Sequence, residues 1–179
     1  LDWYLAQYVQ DGPEKWSRGR NPTLCQTQGG DWRLTLDERK RILLASIFGV
    51  DIDAQAVEVT KLSLLLKMLE GENNQTINTQ LELLPDRILP DLANNIRCGN
   101  SLIGPDYYHG RMAFLDEELT YRVNAFDWRL AFPEIMADGG FDGVVGNPPW
   151  GSDIDAYLLY FHAVFPRTTQ EHTDSFKLF

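Results

Sequence analysis

Four consecutive residues, Asn147-Pro148-Pro149-Trp150, have the types and order needed to activate a planar amine. An amine conjugated to a ring is a poor nucleophile, because its lone pair is delocalised. Two acceptors on its two N–H bonds draw the nitrogen toward a tetrahedral shape and localise that pair. The Asn147 side-chain oxygen is one such acceptor, and the Pro148 carbonyl is a plausible second. Proline fixes φ, so Pro148 and Pro149 together hold the backbone stiffly and aim that carbonyl. Trp150 adds a flat face on which a planar base can stack. No dedicated general base is needed in principle, since the nitrogen becomes acidic once it is cationic. An isolated N-P-P is a turn sequence. What favours chemistry is its place directly after the β-rich run Phe141-Asp142-Gly143-Val144-Val145-Gly146.

Two upstream segments suit a nucleoside ligand. In Gly49-Val50-Asp51-Ile52-Asp53, an acid at the end of an early strand can accept hydrogen bonds from both ribose hydroxyls. Asp51 is placed for that role, Ile52 for packing on an adenine ring, and Asp53 for capping the next helix. The alternative, that both aspartates are caps, stays open. In Cys98-Gly99-Asn100-Ser101-Leu102, the Asn100 amide can recognise adenine, with Ser101 beside it; a plain Gly-Asn turn is the alternative. Read jointly, three successive strand ends present a ribose ligand, an adenine ligand and a catalytic loop. A target base embedded in a duplex would have to be flipped out to reach that loop.

The elements that must position these residues follow from periodicity. Helices are expected over residues 1–10, 36–46, 54–70, 129–137 and 155–165, and short strands over 47–52, 95–100 and 141–146. Pro133 should lie in the first turn of its helix or break it. Residues 11–34, rich in Gly, Pro, Asn, Gln and Ser, read as a long loop. Residues 81–84 read as a short extended piece, 102–125 give little pattern, and a new helix begins near 173. Strands alternating with helices predict an α/β fold with a mostly parallel sheet, and ligands in such sheets sit at the carboxyl ends of strands.

Composition narrows the function classes. The 179 residues suit one ordinary domain. No apolar run is long enough to span a bilayer. The start of the sequence has no secretory character and no Met, which suggests a fragment. Cys25 and Cys98 do not have metal-ligand spacing with the three histidines, so no metal is expected. They suit a reducing cytosol, although two cysteines can also form one disulfide. Acids outnumber bases 26 to 16, for a net charge of −10, which counts against the chain gripping nucleic acid alone. Arg39-Lys40-Arg41 reads as the solvated face of a helix. Trp3, Trp16, Trp32, Trp128 and His162 read as packing residues.

Gly49 to Glu58 resembles motif II of the N6-adenine DNA methyltransferases, and Asn95 to Leu102 resembles their motif III. Phe126-Asp127-Trp128, Phe132-Pro133-Glu134 and Phe141 to Trp150 resemble the run into motif IV, an N/D-P-P-Y/F/W pattern. The nearest group is the Eco57I-like methylases of bacterial restriction-modification and defence systems, with matching segments over about residues 45–70 and 94–152. The resemblance implies a Rossmann-like methyltransferase fold and S-adenosylmethionine as cofactor. It also implies DNA adenine as substrate, a bacterial cytoplasmic setting, and Asn147, Pro148 and Trp150 at the target amine. It places the family's motif I upstream of Leu1 and the target-recognition domain beyond Phe179. Residues 1–179 then form part of a single catalytic domain, and other parts of the protein hold most of the DNA. The same tetrapeptide occurs in methyltransferases acting on RNA guanine and on protein glutamine amides, and a non-catalytic domain of the same fold is a further alternative.

Overall fold

A computed structural model describes residues 1–72, 89–109, 117–147 and 155–169. The chain divides into two compact units, Leu1–Arg97 and Cys98–Phe179.

In the first unit, α1 (Asp2–Gln10) and the short α2 (Pro13–Trp16) lead to a hairpin of β1 (Leu24–Gln26) and β2 (Trp32–Leu34). The strands are antiparallel, with Leu24 opposite Leu34 and Gln26 opposite Trp32. The sequence suggests only a loop here. Three-residue strands are too short to show alternation, and the hairpin is fixed instead by Gly30 at φ +89 and by the Thr27 N–H donating to the Asp31 carbonyl at 2.8 Å. Leu24 and Leu34 meet Ile42 in a small core, against which Tyr4, Leu5, Tyr8, Trp16 and Trp32 pack. Trp3, by contrast, is 66% exposed, which corrects its reading as a packing residue. It lies beside Tyr4 and leaves the inward position to its neighbour.

Helix α3 (Leu36–Ser46) starts where the Thr35 side chain accepts from the Glu38 N–H. Tyr8 Oη donates to Glu38 Oε1 at 2.7 Å, tying α1 to α3. Arg41 donates to both Glu38 oxygens, at 2.8 and 2.6 Å, and holds that carboxyl below the usual carboxylate range although burial pushes it up. Strand β3 (Gly49–Asp51) follows, then α4 (Ala54–Leu69), capped by the Asp53 side chain on the Gln55 N–H. Leu36, Leu43, Val57, Met68, Leu92 and Ile96 form the larger core.

Arg39 is not on a solvated face, as the basic cluster suggests, but is buried. Its guanidinium donates to the carbonyls of Met68 at 2.9 Å and Glu70 at 2.7 Å, and pairs with Glu72 at 3.2 Å. Arg33 donates to the Gly71 carbonyl at 2.8 Å and reaches the same Glu72 at 3.4 Å. The last carbonyls of a helix have no partner within it. At α4 two arginines from the preceding elements supply those partners.

Strand β4 (Ile96–Cys98) pairs with β3. The Gly49 N–H donates to the Asn95 carbonyl at 2.9 Å. The buried Asn95 amide donates to the carbonyls of Leu44 and Ile47, clipping the end of α3 to the start of β3.

In the second unit, a 3-10 turn (Pro105–Tyr108) precedes α5 (Glu117–Val123), α6 (Trp128–Ala131) and α7 (Pro133–Ala137); a second 3-10 turn (Asp155–Tyr157) leads into α8 (Leu158–Val164). Ile103, Tyr107, Val123 and Phe161 make the core. The expected helix over 129–137 is broken in two, with Pro133 opening the second piece, because proline tolerates only the first turn. Tyr160 Oη accepts from the Gly104 N–H at 3.0 Å and donates to Asp106 Oδ1 at 3.1 Å. His162, one position beyond the buried Phe161, is exposed rather than packed.

The described residues are mixed α/β with two two-stranded sheets, and a parallel bridge joins Asn100 to Ala125. Residues 141–147 carry no strand, contrary to the β-rich pattern, and Val145 is fully exposed. A strand needs a neighbour to complete its ladder, and no described segment pairs with this run. The expected extended piece at 81–84 and the helix from 173 lie outside the described residues.

Candidate functional site

Asp51 closes β3 and is exposed, with its Oδ1 accepting from the Asp53 N–H at 2.8 Å. That contact is a local turn, so part of the capping alternative is present: Asp51 steadies Asp53, and Asp53 caps α4. Ile52, between them, is 54% exposed. These three residues belong to the first unit, and Asn100, Ser101 and Asn147 to the second.

Asn100 is held from several sides. Its N–H donates to the Asn124 carbonyl at 2.7 Å, and its Oδ1 accepts from the Leu102 N–H at 3.1 Å. Its own carbonyl accepts from the Ile103 N–H at 3.3 Å. Asn124 takes φ +45 to present its carbonyl, a left-handed conformation that asparagine tolerates better than most residues. Its Nδ2 donates to Cys98 Sγ at 3.4 Å. The Ser101 carbonyl accepts from Trp128 Nε1 at 3.0 Å. Beside them, a Cβ on Gly99 would stand 2.5 Å from a ring carbon of Phe126, so position 99 takes only glycine without a shift.

In the sequence Trp128 reads as a packing residue and as part of the run into motif IV, and neither reading predicts its N–H contact. The available signal is its place directly after Asp127. The Asp127 side chain accepts from the Arg129 and Leu130 N–H groups and so fixes the first turn of α6. Asn147 is exposed and ends the strandless run that begins at Phe141. Pro148, Pro149 and Trp150 lie outside the described residues.

Cys25 and Cys98 are not joined in a disulfide. Among the described residues no group of His, Cys, Asp or Glu is arranged to hold a metal ion, and no helix is long and apolar enough to cross a membrane.

A single family profile runs across all of these segments. The sequence profile of the Eco57I restriction-modification methylases matches residues 45–179, which takes in β3, the Asn100 turn and the whole run to Trp150. The chain belongs to this methylase family. It is 31% identical over 149 residues to the type II restriction enzyme and methyltransferase RM.Eco57I of Escherichia coli, covering 83% of this chain and 12% of that protein. It is 42% identical over 69 residues to the putative type II restriction enzyme and methyltransferase RM.MjaORFECS2P of Methanocaldococcus jannaschii, covering 37% of this chain and 5% of that protein. The chain thus spans a small part of the length of both relatives. No solved structure matches this family member.

Proposed function

We propose that the chain is part of a methyltransferase that carries a methyl group from S-adenosylmethionine to the N6 amine of adenine in DNA, within a restriction-modification or defence enzyme. The observation that carries this reading is the methylase-family match across Asp51, Asn100 and Asn147-Pro148-Pro149-Trp150. Both compact units are read as parts of one Rossmann-like catalytic domain. The cofactor, when bound, supplies an electrophilic methyl group on a sulfonium.

The residues present suit that cofactor. Asp51 offers an exposed carboxylate to ribose hydroxyls, and its turn contact with Asp53 fixes its direction. Asn100 spends its amide oxygen on the Leu102 N–H, so it meets an adenine ring nitrogen as an N–H donor. Ser101 shapes the same turn, and Ile52 presents apolar surface to the ring.

At the target, Asn147 Oδ1 and the Pro148 carbonyl accept from the two N–H bonds of the amine and localise its lone pair. Pro149 stiffens the loop, and Trp150 stacks on the base. The nitrogen sheds its proton after transfer, when it is cationic. With a net charge of −10, the chain leaves most DNA contacts to other parts of the protein. Two cysteines without a disulfide suit a reducing compartment, and a bacterial cytoplasm is the proposed setting.

The test is methyl transfer by the whole protein to duplex DNA, to RNA and to a glutamine-containing peptide, with the product identified by mass spectrometry. N6-methyladenine in DNA, lost in Asn147→Ala, is the expected result. Transfer to RNA or peptide alone overturns the substrate assignment.

A further inference from the structure

Trp128 stands at the junction of two segments to which the proposed function gives different tasks. Its indole N–H donates to the Ser101 carbonyl at 3.0 Å, inside the turn that carries Asn100. Its ring meets Phe141 edge-on, with centroids 5.8 Å apart and planes at 78°, and Phe141 opens the run that ends at Asn147. The same ring contacts Phe126 at 5.1 Å and Phe132 at 5.9 Å, while Phe132 meets Phe141 at 5.6 Å. Phe126 in turn backs directly onto Gly99. The edge-to-face contacts of Trp128 with Phe126 and Phe141 have a preferred geometry as well as buried area. Within this group of rings Trp128 alone carries an N–H, and that donor is the link to Ser101. Asp127 fixes the backbone turn on which Trp128 begins.

We propose that Trp128 is a positioning residue for methyl transfer: its N–H sets the Asn100–Ser101 turn that meets the cofactor, and its ring sets the origin of the run that presents Asn147. This inference rests on the function proposed above. A role in packing alone requires the ring and not the donor, which makes the two roles separable.

The experiment uses the whole protein that carries this chain, with Trp128→Phe to keep a ring and remove the donor, and Phe141→Leu to remove the ring face that Trp128 meets. S-adenosylmethionine binding is read by calorimetry, transfer to DNA by single turnover at saturating cofactor, and local order by amide hydrogen exchange over residues 99–103 and 141–147. Trp128→Phe is expected to weaken cofactor binding about three- to tenfold, as for loss of one hydrogen bond, and to speed exchange at 100–103. Phe141→Leu is expected to leave cofactor affinity nearly unchanged and to slow transfer at saturating cofactor. If Trp128→Phe does not fold, benzothienylalanine at position 128 removes the donor while keeping the bicyclic shape, and is read in the same way. Unchanged affinity and unchanged exchange in the donor-less variant, with a lowered unfolding midpoint, overturn the inference and leave the function standing. A wild-type protein that binds no S-adenosylmethionine overturns the function and this inference with it.

Discussion

Asn100 has its backbone N–H on the Asn124 carbonyl at 2.7 Å and its side-chain oxygen on the Leu102 N–H at 3.1 Å. Asn147 ends a run in which Val144 is 80% exposed and Val145 wholly so. Both are asparagines to which the proposed function assigns recognition of an adenine, one in the cofactor and one in the target. The first is built into its surroundings by contacts that all arise within residues 98–128. The second ends a segment that is held at its first residue, Phe141, by the rings of Trp128 and Phe132, and whose valines 144 and 145 stand in solvent. A cofactor site gains from a geometry fixed before binding. A loop that must take a base out of a duplex works on a partner that arrives later.

The sharpest break in this comparison is Asn147→Ala. Methyl transfer by the whole protein should fall about 100-fold or more, as for loss of one transition-state hydrogen bond. The unfolding midpoint should hardly move, because the side chain is exposed. A normal single-turnover rate would remove the catalytic assignment. Next comes Gly99→Ala, whose new methyl meets Phe126 within the aromatic group and forces a shift there. It should cost about 1–3 kcal/mol of stability, read by denaturant unfolding, and should weaken cofactor binding; an unchanged midpoint would mean that the turn is looser than its contacts indicate. Asp127→Ala removes the acceptor for two N–H groups at the start of α6 and should cost about 1 kcal/mol, measured the same way. The smallest effect belongs to the bare run. Val145→Thr should change the stability of this chain by less than about 0.5 kcal/mol, and a larger loss would show that the run is packed after all.

The same contrast explains what was legible in the sequence. Helices α1, α3, α4 and α8 were readable because their signals are local: Thr35 and Asp53 as caps, apolar spacing along Ala54–Leu69, and Pro166 after α8. Pro133 marked its own break. The hairpin Leu24–Leu34 was not readable, because three-residue strands carry no period and Gly29-Gly30 reads as loop as easily as turn. The composition of 141–146 suggests a strand, yet composition cannot supply a ladder partner. At the candidate site, the residue types at 51, 100 and 147 were legible, while the Trp128 N–H on Ser101 and the Asn124 carbonyl on Asn100 were not. Those links depend on how backbone groups meet across about 25 residues of chain, a geometry that no local spacing encodes.

The buried pairing of Arg39 with Glu72 bears on where this molecule can be cut. The methylase family's profile begins at residue 45, but the guanidiniums that close the end of α4 come from positions 33 and 39. Excision at the profile boundary would strip the Glu72 carboxylate, whose side chain is 1% exposed, of the two cations that pair with it among the described residues, and would remove the arginine donors to the Met68, Glu70 and Gly71 carbonyls. An unpaired buried charge is among the more costly defects a fold can carry. The recognisable sequence and the smallest autonomous folding piece therefore have different edges, and a useful shorter version would have to keep the β1–β2 hairpin.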